Sequence, residues 1–437
     1  MRSSPPSRAA PEHRQPAEGP ATTSVRGPSI ALGVLLTCLA VTLVLFVPWT
    51  VLPGADLRPD VTADFTVAQI ARETAFHDAT RWVSYTALAV SLVVAALLGV
   101  TRAGARLVRL VARPLGGGWV WQVLLGSLAV LTAGRLATLP LAARLQALRR
   151  DYGLSTSSWA SWGLDVLRGL LVDAALSALA LLVLVALARR ARRTWWAWGA
   201  AATAGLVVAG SFAYPLVVEP VFNDFRPLAQ GALRSDLLAL AARDGVPVRE
   251  VLVADASRRT TALNAYVSGF GSSRRIVVFD TLLQRASPAE VELVVAHELG
   301  HAKRDDVLTG TALGALGAAA AVCALALLLR WPALLRRAGA SGPGDPGIVA
   351  LLLLLVSVGT LLAAPATNLV SRRIEARADV HALDLTRDPA TFEAAQRRLA
   401  LTNLSDLEPN PLAYVLFATH PSAVDRLALA RAWQRRQ

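Results

Sequence analysis

The chain has 437 residues, of which 54% are hydrophobic, and it carries a formal net charge of +13. This composition excludes an ordinary soluble globular protein, because the apolar residues are gathered in runs long enough to cross a bilayer. Nearly all of the positive charge is arginine in short segments between these runs. That pattern is typical of membrane topology and argues against a nucleic-acid partner.

Residues 1–28 are rich in Pro, Arg, Ser and Ala and have no apolar periodicity, which predicts a disordered basic tail. The apolar run that begins at Ser29 is too long for the core of a signal peptide. We therefore interpret it as a retained first membrane span.

The apolar runs predict a multi-pass α-helical protein of the cell membrane, because each is near or above the roughly 20 residues that cross a bilayer. The third run contains Arg135, which either faces a protein interior or water-filled cavity with a partner, or marks a shorter, tilted span. Five spans lie within 29–218 and two within 306–371. The seven predicted spans are 29–52, 82–101, 118–143, 166–188, 195–218, 306–331 and 346–371.

The polar stretch 219–305 reads as a small α/β unit. Helical periodicity runs over 228–242, and short apolar segments at 251–254, 264–270 and 275–279 predict strands. An extended peptide can add to the edge of such a sheet through its backbone. We therefore expect a zincin-like metalloprotease domain here, completed by the C-terminal region 372–437.

A helix that carries an H-E-x-x-H pattern follows these strands. Ser287 and Glu290 predict a capping box at its start. His297 and His301 then lie one turn apart on the same face, as two zinc ligands require, and Glu298 can accept a proton from a zinc-activated water. The alternative is a helix with two ordinary histidines.

A catalytic zinc site needs a third protein ligand, for which Glu375 is the candidate. On a helix Asp379 shares its face and can accept a hydrogen bond from a ligating His. The alternative is a juxtamembrane helix with ordinary Glu–Arg pairs. Further on, His420 with Arg426 suggests a donor to the oxyanion of the tetrahedral intermediate, or else a loop His before a helix.

Several segments together carry a family pattern. They are 222–228, 263–270, 275–283, 297–301, Asn368 with 371–379, and His420 with Pro421 and Arg426, with a fainter match at 151–165. Over about residues 150–430 the chain resembles the M48 peptidases, and among them the membrane-embedded CAAX prenyl protease 1 (Ste24-like) group.

This resemblance implies a seven-span helical barrel around a large chamber, with one Zn²⁺ per chain facing inward. It also implies roles for individual residues of this chain. They are His297, His301 and Glu375 as ligands, Glu298 as general base, Asn264 and Ala265 on a substrate-aligning strand, and His420 and Arg426 near the scissile carbonyl.

The resembled family cuts prenylated C-terminal CAAX motifs after the modified cysteine, so the expected partners are a peptide or protein substrate and membrane lipid. The Ala-, Leu- and Arg-rich usage is typical of a bacterium with a GC-rich genome, where CAAX farnesylation is not generally expected. Quality-control proteolysis of membrane proteins is therefore an alternative function. A catalytically silent membrane scaffold with structural zinc is another.

The sequence leaves the orientation in the membrane open. Alternation of seven spans places the basic tail and the Arg-rich loops after the second, fourth and sixth spans on one side, which is the cytoplasm by the positive-inside rule. The zinc domain and the C-terminus then lie outside. The eukaryotic members of the resembled family instead open their active site to the cytosol.

Overall fold

The computed structural model describes residues 25–269 and 271–437, apart from the side chain of Ser272. These residues form helices and one small sheet. In chain order the elements are α1 (Arg26–Phe46), α2 (Val61–Asp64), α3 (Val67–Gly99), α4 (Arg102–Ala112), α5 (Trp119–Asp151), α6 (Trp159–Arg190), α7 (Trp195–Ala213), α8 (Glu219–Phe222), β1 (Phe225–Pro227), α9 (Ala232–Asp244), β2 (Glu250–Ala254), β3 (Ala265–Ser268), β4 (Arg275–Phe279), α10 (Asp280–Arg285), α11 (Pro288–Lys303), α12 (Asp306–Leu328), α13 (Pro332–Ala338), α14 (Val349–Thr386), α15 (Pro389–Thr402), α16 (Pro411–Phe417) and α17 (Ala423–Gln434).

Seven helical segments of the described residues are long and apolar enough to span a membrane, as predicted. They are α1, α3, α5, α6, α7 with its extension to Phe222, α12 and α14. Helix α1 begins at Arg26, three residues before the predicted span. Pro28 is tolerated there because the first turn of a helix leaves backbone N–H groups unpaired. The rest of the predicted tail, residues 1–24, lies outside the described residues.

The membrane helices enclose a cavity of about 460 Å³ between α3, α5, α6 and α14. Arg135 lines this cavity, and its guanidinium lies 3.7 Å from the carboxylate of Asp173 on α6. Helix α5, which carries Arg135, has 33 residues, and the cavity and the carboxylate partner favour the first of the two alternatives. An arginine at this depth is tolerated because it meets a cavity and a carboxylate rather than hydrocarbon.

The α/β unit contains a four-stranded sheet in the order β1-β2-β4-β3. Strands β2 and β4 are parallel, and the two outer pairings are antiparallel. The three predicted strands are confirmed, while β1 was not predicted. The predicted helix at 228–242 begins only at Ala232, because the N–H of Leu228 still donates to the carbonyl of Val251 and extends the β1–β2 pairing.

Strand β3 is an edge of this sheet and packs beside α11. The side chains of β4 are buried on both faces of the sheet: Ile276 and Val278 contribute to the core beneath α11, and Val277 to a smaller cluster on the other face. This burial fixes the register of β3, because a slip of one residue would exchange its two faces. The sheet therefore presents a fixed edge to the H-E-x-x-H helix.

Helix α14 runs without interruption for 38 residues from the membrane into the polar domain. Its C-terminal half packs against α11 and α17, and buried Leu383 joins the core formed with Leu293, Phe392 and Trp433. The last membrane span and the segment with the expected third ligand are thus one helix.

The bundle has two distinct ends. At the end that carries the sheet, which we call the α/β end, Arg72 donates to the carbonyl of Tyr152, and Arg397 pairs with Asp64 at 3.0 Å. At the opposite end, Arg109 donates to the carbonyl of Gly339, and Arg189 to that of Gly344. We call this second end, formed by residues 101–118, 189–194 and 330–348, the arginine end.

Candidate metal centre

Helix α11 holds the two histidines of the H-E-x-x-H pattern at a fixed angle. Its predicted capping box is present: the N–H of Ser287 donates to Glu290 Oε2 at 2.7 Å, and the N–H of Glu290 donates to Ser287 Oγ at 3.3 Å. Glu290 Oε1 also accepts a hydrogen bond from Arg398 on α15 at 2.8 Å. The start of α11 is thereby bonded to a neighbouring helix.

Three donor atoms from two helices converge on one point. Nε2 of His297 lies 3.2 Å from Nε2 of His301 and 3.2 Å from Oε2 of Glu375, and His301 Nε2 lies 3.5 Å from Glu375 Oε1. A tetrahedral zinc ion with bonds of 2.0–2.1 Å separates its ligand atoms by roughly 3.3 Å. The two imidazoles and the carboxylate therefore fit Zn²⁺ in both chemistry and spacing.

The second ring nitrogen of His297, Nδ1, which faces away from the other two donors, lies beside a carboxylate. Nδ1 of His297 lies 2.9 Å from Oδ1 of Asp379, a residue with no exposed surface. Arg426 forms a two-pronged ion pair with the same carboxylate and fixes its orientation. With its proton on Nδ1, the imidazole turns the lone pair of Nε2 towards the metal position.

His301 has an equivalent partner that the sequence did not reveal. Its Nδ1 lies 2.9 Å from Oδ2 of Asp306, and Arg377 pairs with the other oxygen of that carboxylate. The Nδ1 atom of each histidine therefore lies within hydrogen-bond distance of an Asp that is paired with an Arg. Both carboxylates favour the tautomer in which Nε2 is free to bind a metal.

Local backbone geometry explains why Asp306 was missed. On a continuous helix a residue five positions after His301 points about 140° away from it. Here α11 ends at Lys303, and Asp305 adopts a left-handed conformation with φ of 50° before α12 begins. This turn brings Asp306 back to His301, and no periodicity in the sequence indicates it.

The charges around the centre favour a cation between the three donors. Burial alone lowers the pKa of His297, but the hydrogen bonds with Asp379 and Glu375 and the charge of Asp379 outweigh it and raise the pKa to about 10. Burial raises the pKa of the neighbouring Glu298 carboxyl, against the opposing effect of both histidines. A carboxylate whose pKa is raised is a better proton acceptor.

A cavity of about 580 Å³ opens onto the centre. Asn264, Glu298, His420 and Arg426 line it together with His297. Nε2 of His420 lies 3.4 Å from Oε2 of Glu375, and the side chain is 59% exposed. The cavity thus brings four of the expected substrate-handling or catalytic residues next to the three donors.

Two of the residues expected to contact the substrate, Ala265 and Arg426, have side chains that are already packed or bonded within the protein. The side chain of Ala265 is 2% exposed and belongs to the core under α11, so only the backbone of this residue is available to a ligand. Arg426 lines the cavity, but its guanidinium is already bound to Asp379.

Helix α14 also positions the segment that carries His420. The amide of Asn368 donates to the carbonyl of Leu416 at 2.7 Å, and Arg372 donates to that of Ala418 at 2.6 Å. The histidine that α14 itself carries, His381, bonds to Asp244 at the end of α9 at 3.0 Å and is not part of the centre.

Seven apolar helices, an H-E-x-x-H helix with a carboxylate from a second helix, and a sheet edge beside the cavity together define an integral membrane metallopeptidase. The family comparisons agree with this class. The model of peptidase family M48 matches residues 227–434, and that of the CAAX prenyl protease N-terminal region, described as five membrane helices, matches residues 56–224. The chain belongs to peptidase family M48 and is a membrane zinc metalloprotease.

Relatives agree with this assignment, and a solved structure agrees with the fold. The chain is 32% identical over 294 residues to the uncharacterized metalloprotease YhfN of Bacillus subtilis, covering 67% of this chain and 69% of YhfN. It is 34% identical to the CAAX prenyl protease 1 homolog of Oryza sativa, covering 49% of this chain and about half (51%) of the rice protein. The fold is similar to the crystal structure of Ste24p from S. mikatae, with 20% identity, a TM-score of 0.72, and coverage of 92% and 98% of the two chains.

Proposed function

We propose that the protein is a zinc endopeptidase in which His297, His301 and Glu375 hold one Zn²⁺ and Glu298 is the general base. The observation that carries this proposal is the convergence of three donors beside an open cavity, which His297 and Glu298 line. A structural zinc site is normally closed by a fourth protein ligand. The group found among the described residues has three members, which favours catalysis over a silent scaffold.

The arrangement suits hydrolysis of a peptide bond. When bound, zinc supplies a water of lowered pKa and polarises the scissile carbonyl. Glu298 accepts the proton of the attacking water and passes it to the leaving amine. His420 donates from Nε2 to the oxyanion that forms, and its position beside Glu375 supports this role.

Strand β3 supports an endopeptidase in particular. It is an edge strand beside the H-E-x-x-H helix, and Asn264 at its start lines the cavity. An extended substrate can pair with this edge through backbone hydrogen bonds, which align a peptide without reading its side chains. Asn264 and the backbone of Ala265 are the residues we assign to this alignment.

Two substrate classes suit this site. The names of the plant and yeast relatives indicate prenylated CAAX proteins, and the cavity between the membrane helices, lined mainly by apolar residues, supports a lipid-modified chain end. Unmodified membrane proteins, as in quality control, are the second class. Both need the same metal centre and differ only in what the cavities must accept.

One experiment distinguishes these possibilities. Purified protein is incubated with a farnesylated CAAX peptide and with an unmodified membrane protein, each with and without chelator and with zinc added back. Chelator-sensitive cleavage of the farnesylated peptide alone supports the prenyl-protease function, and cleavage of the unmodified protein alone supports quality control. If the zinc-loaded protein cuts neither, the proposed peptidase activity is contradicted and the scaffold function is favoured.

A further inference from the structure

The arginine end has an extreme charge balance. Its three segments contain eleven arginines and one acidic residue, Asp345. That carboxylate is already engaged, because it accepts hydrogen bonds from Ser341 and from the N–H of Gly347. Ten of the arginines are exposed and form no ion pair within the described part of the chain. They are Arg102, Arg106, Arg109, Arg113, Arg189, Arg190, Arg192, Arg193, Arg336 and Arg337.

The packing of helix α4 explains why its arginines are exposed. Gly104, Ala105 and Val108 are buried against the bundle. A Cβ atom added to Gly104 would lie 2.3 Å from the carbonyl oxygen of Leu98 and 2.5 Å from Cβ of Ala350, so the helix lies directly on the ends of α3 and α14. The arginines of α4 therefore lie on the exposed side of the helix, away from the ends of α3 and α14.

The α/β end is balanced instead. Segments 47–81 and 144–168, which connect and flank the membrane helices there, contain seven arginines and seven acidic residues. The zinc domain, residues 219–305, is balanced as well, with eleven basic and eleven acidic residues, and some of its basic residues form ion pairs, as Lys303 does with Asp244 at 2.7 Å. Net positive charge is thus concentrated at the arginine end.

We propose that the arginine end lies against the anionic headgroups of the cytoplasmic leaflet and that the zinc centre faces the opposite, extracytoplasmic side. Short arginine-rich loops stay in the cytoplasm, whereas segments longer than about 60 residues cross largely regardless of charge. The negative surface potential of an anionic leaflet attracts each arginine that lies near it. The 83-residue stretch 223–305, which carries the H-E-x-x-H helix, is of the second kind.

This orientation sets the substrate class, a step that rests on the proposed peptidase function. Proteins exposed on the outer side of the membrane reach the cavity, and prenylated proteins of the cytoplasm do not. The proposed orientation itself rests on the charges and the fold, so it can be tested whether or not cleavage is detected.

Cysteine labelling in intact cells tests the orientation. In a Cys38→Ala/Cys323→Ala background, a single cysteine is placed by Arg243→Cys on α9 at the α/β end, or by Arg192→Cys at the arginine end. Both arginines are exposed and lie outside the metal centre, so the two variants are matched. Cells of a bacterial host are treated with a membrane-impermeant maleimide before or after lysis, and the Tm of each purified variant in detergent, compared with that of the wild type, checks its folding.

The expected result is labelling of the Arg243→Cys variant in intact cells and of the Arg192→Cys variant only after lysis. The reverse pattern would overturn the proposal, and so would labelling of both variants in intact cells, which means mixed orientation. Labelling of neither until lysis would place the zinc domain inside and would overturn it too. If the native cysteines are needed for folding, the wild-type background with a no-added-cysteine control gives the same comparison.

Discussion

Oδ2 of Asp306 lies 2.9 Å from Nδ1 of His301, the same separation that joins Asp379 to His297. The two carboxylates reach the centre from different helices, and each is held by an arginine. Both imidazoles are therefore oriented before a metal binds. This lowers the entropic cost of assembling the site.

Replacement of Asp306 by Asn should weaken zinc binding by about 10- to 100-fold, because the amide holds the His301 ring less firmly and makes its Nε2 less basic. Competition with a zinc chelator of known affinity measures the effect. Asp305→Asn is the matched control, since Asp305 is 54% exposed and Asn tolerates its left-handed backbone. Equal zinc affinity in the two variants would contradict the role of Asp306.

Glu298→Gln should keep zinc but lower kcat by about 10²- to 10⁴-fold, because the amide cannot accept the proton of the attacking water. Metal analysis of the purified variant and its cleavage rate are measured together. Glu292→Gln, on the same helix but outside the cavity lining, should retain both properties. Retained turnover in Glu298→Gln would exclude this residue as general base.

Gly300→Ala should destabilise the contact between α11 and α14. A Cβ at this position would lie 3.0 Å from the His381 ring, which Asp244 holds from its other side. Overpacking of this kind costs about 1–3 kcal/mol in the free energy of unfolding. Thermal unfolding in detergent should show a lower Tm, and the added change His381→Ala should restore much of it.

The control for this prediction is Gly310→Ala on α12, where an added Cβ meets nothing within 4 Å. This change should leave the Tm unchanged or raise it, because Ala favours a helix over Gly. If Gly300→Ala behaved in the same way, the close packing of α11 on His381 would have no energetic significance.

Glu290→Gln should lower stability at neutral pH by about 1 kcal/mol, with a smaller effect in acid. Burial raises the pKa of this carboxyl, but hydrogen bonds from Arg398 and Ser287 outweigh it, so the pKa is lower in the folded than in the unfolded state. The charged form therefore stabilises the fold above the unfolded pKa near 4.5, and this stabilisation is lost as the pH falls through the folded value.

Unfolding of wild type and Glu290→Gln compared at pH 7 and pH 4 measures this difference. The gap in Tm should narrow at pH 4. A gap of the same size at both pH values would show that the carboxylate charge contributes nothing and that only the shape of the capping box matters.

The predictable parts of this molecule are those governed by a local rule. Bilayer thickness sets the length of apolar runs, so the spans follow from composition, and the capping box at Ser287 follows from residue spacing. Asp306 was not predictable, because its position depends on one left-handed residue. Strand β1 has three residues and little periodicity of its own, and only its pairing with β2 defines it.

The uninterrupted course of α14 was also beyond a local rule. The apolar run ends near residue 371, so the prediction placed the end of the membrane span there and a separate polar helix after it. In the structure a single helix continues to Thr386. Packing against α11 and α17 stabilises this continuation. Tertiary contacts of this kind leave no periodic signal in the sequence.

That same helix has a consequence for biosynthesis. The ribosome completes both histidines before it begins α12, and Glu375 follows only after two further membrane crossings. A nascent chain therefore holds an unfinished metal centre until its last span has entered the bilayer. With the ligands proposed above, maturation of the peptidase is tied to correct insertion, and we expect chains that end before Glu375 to lack hydrolytic activity.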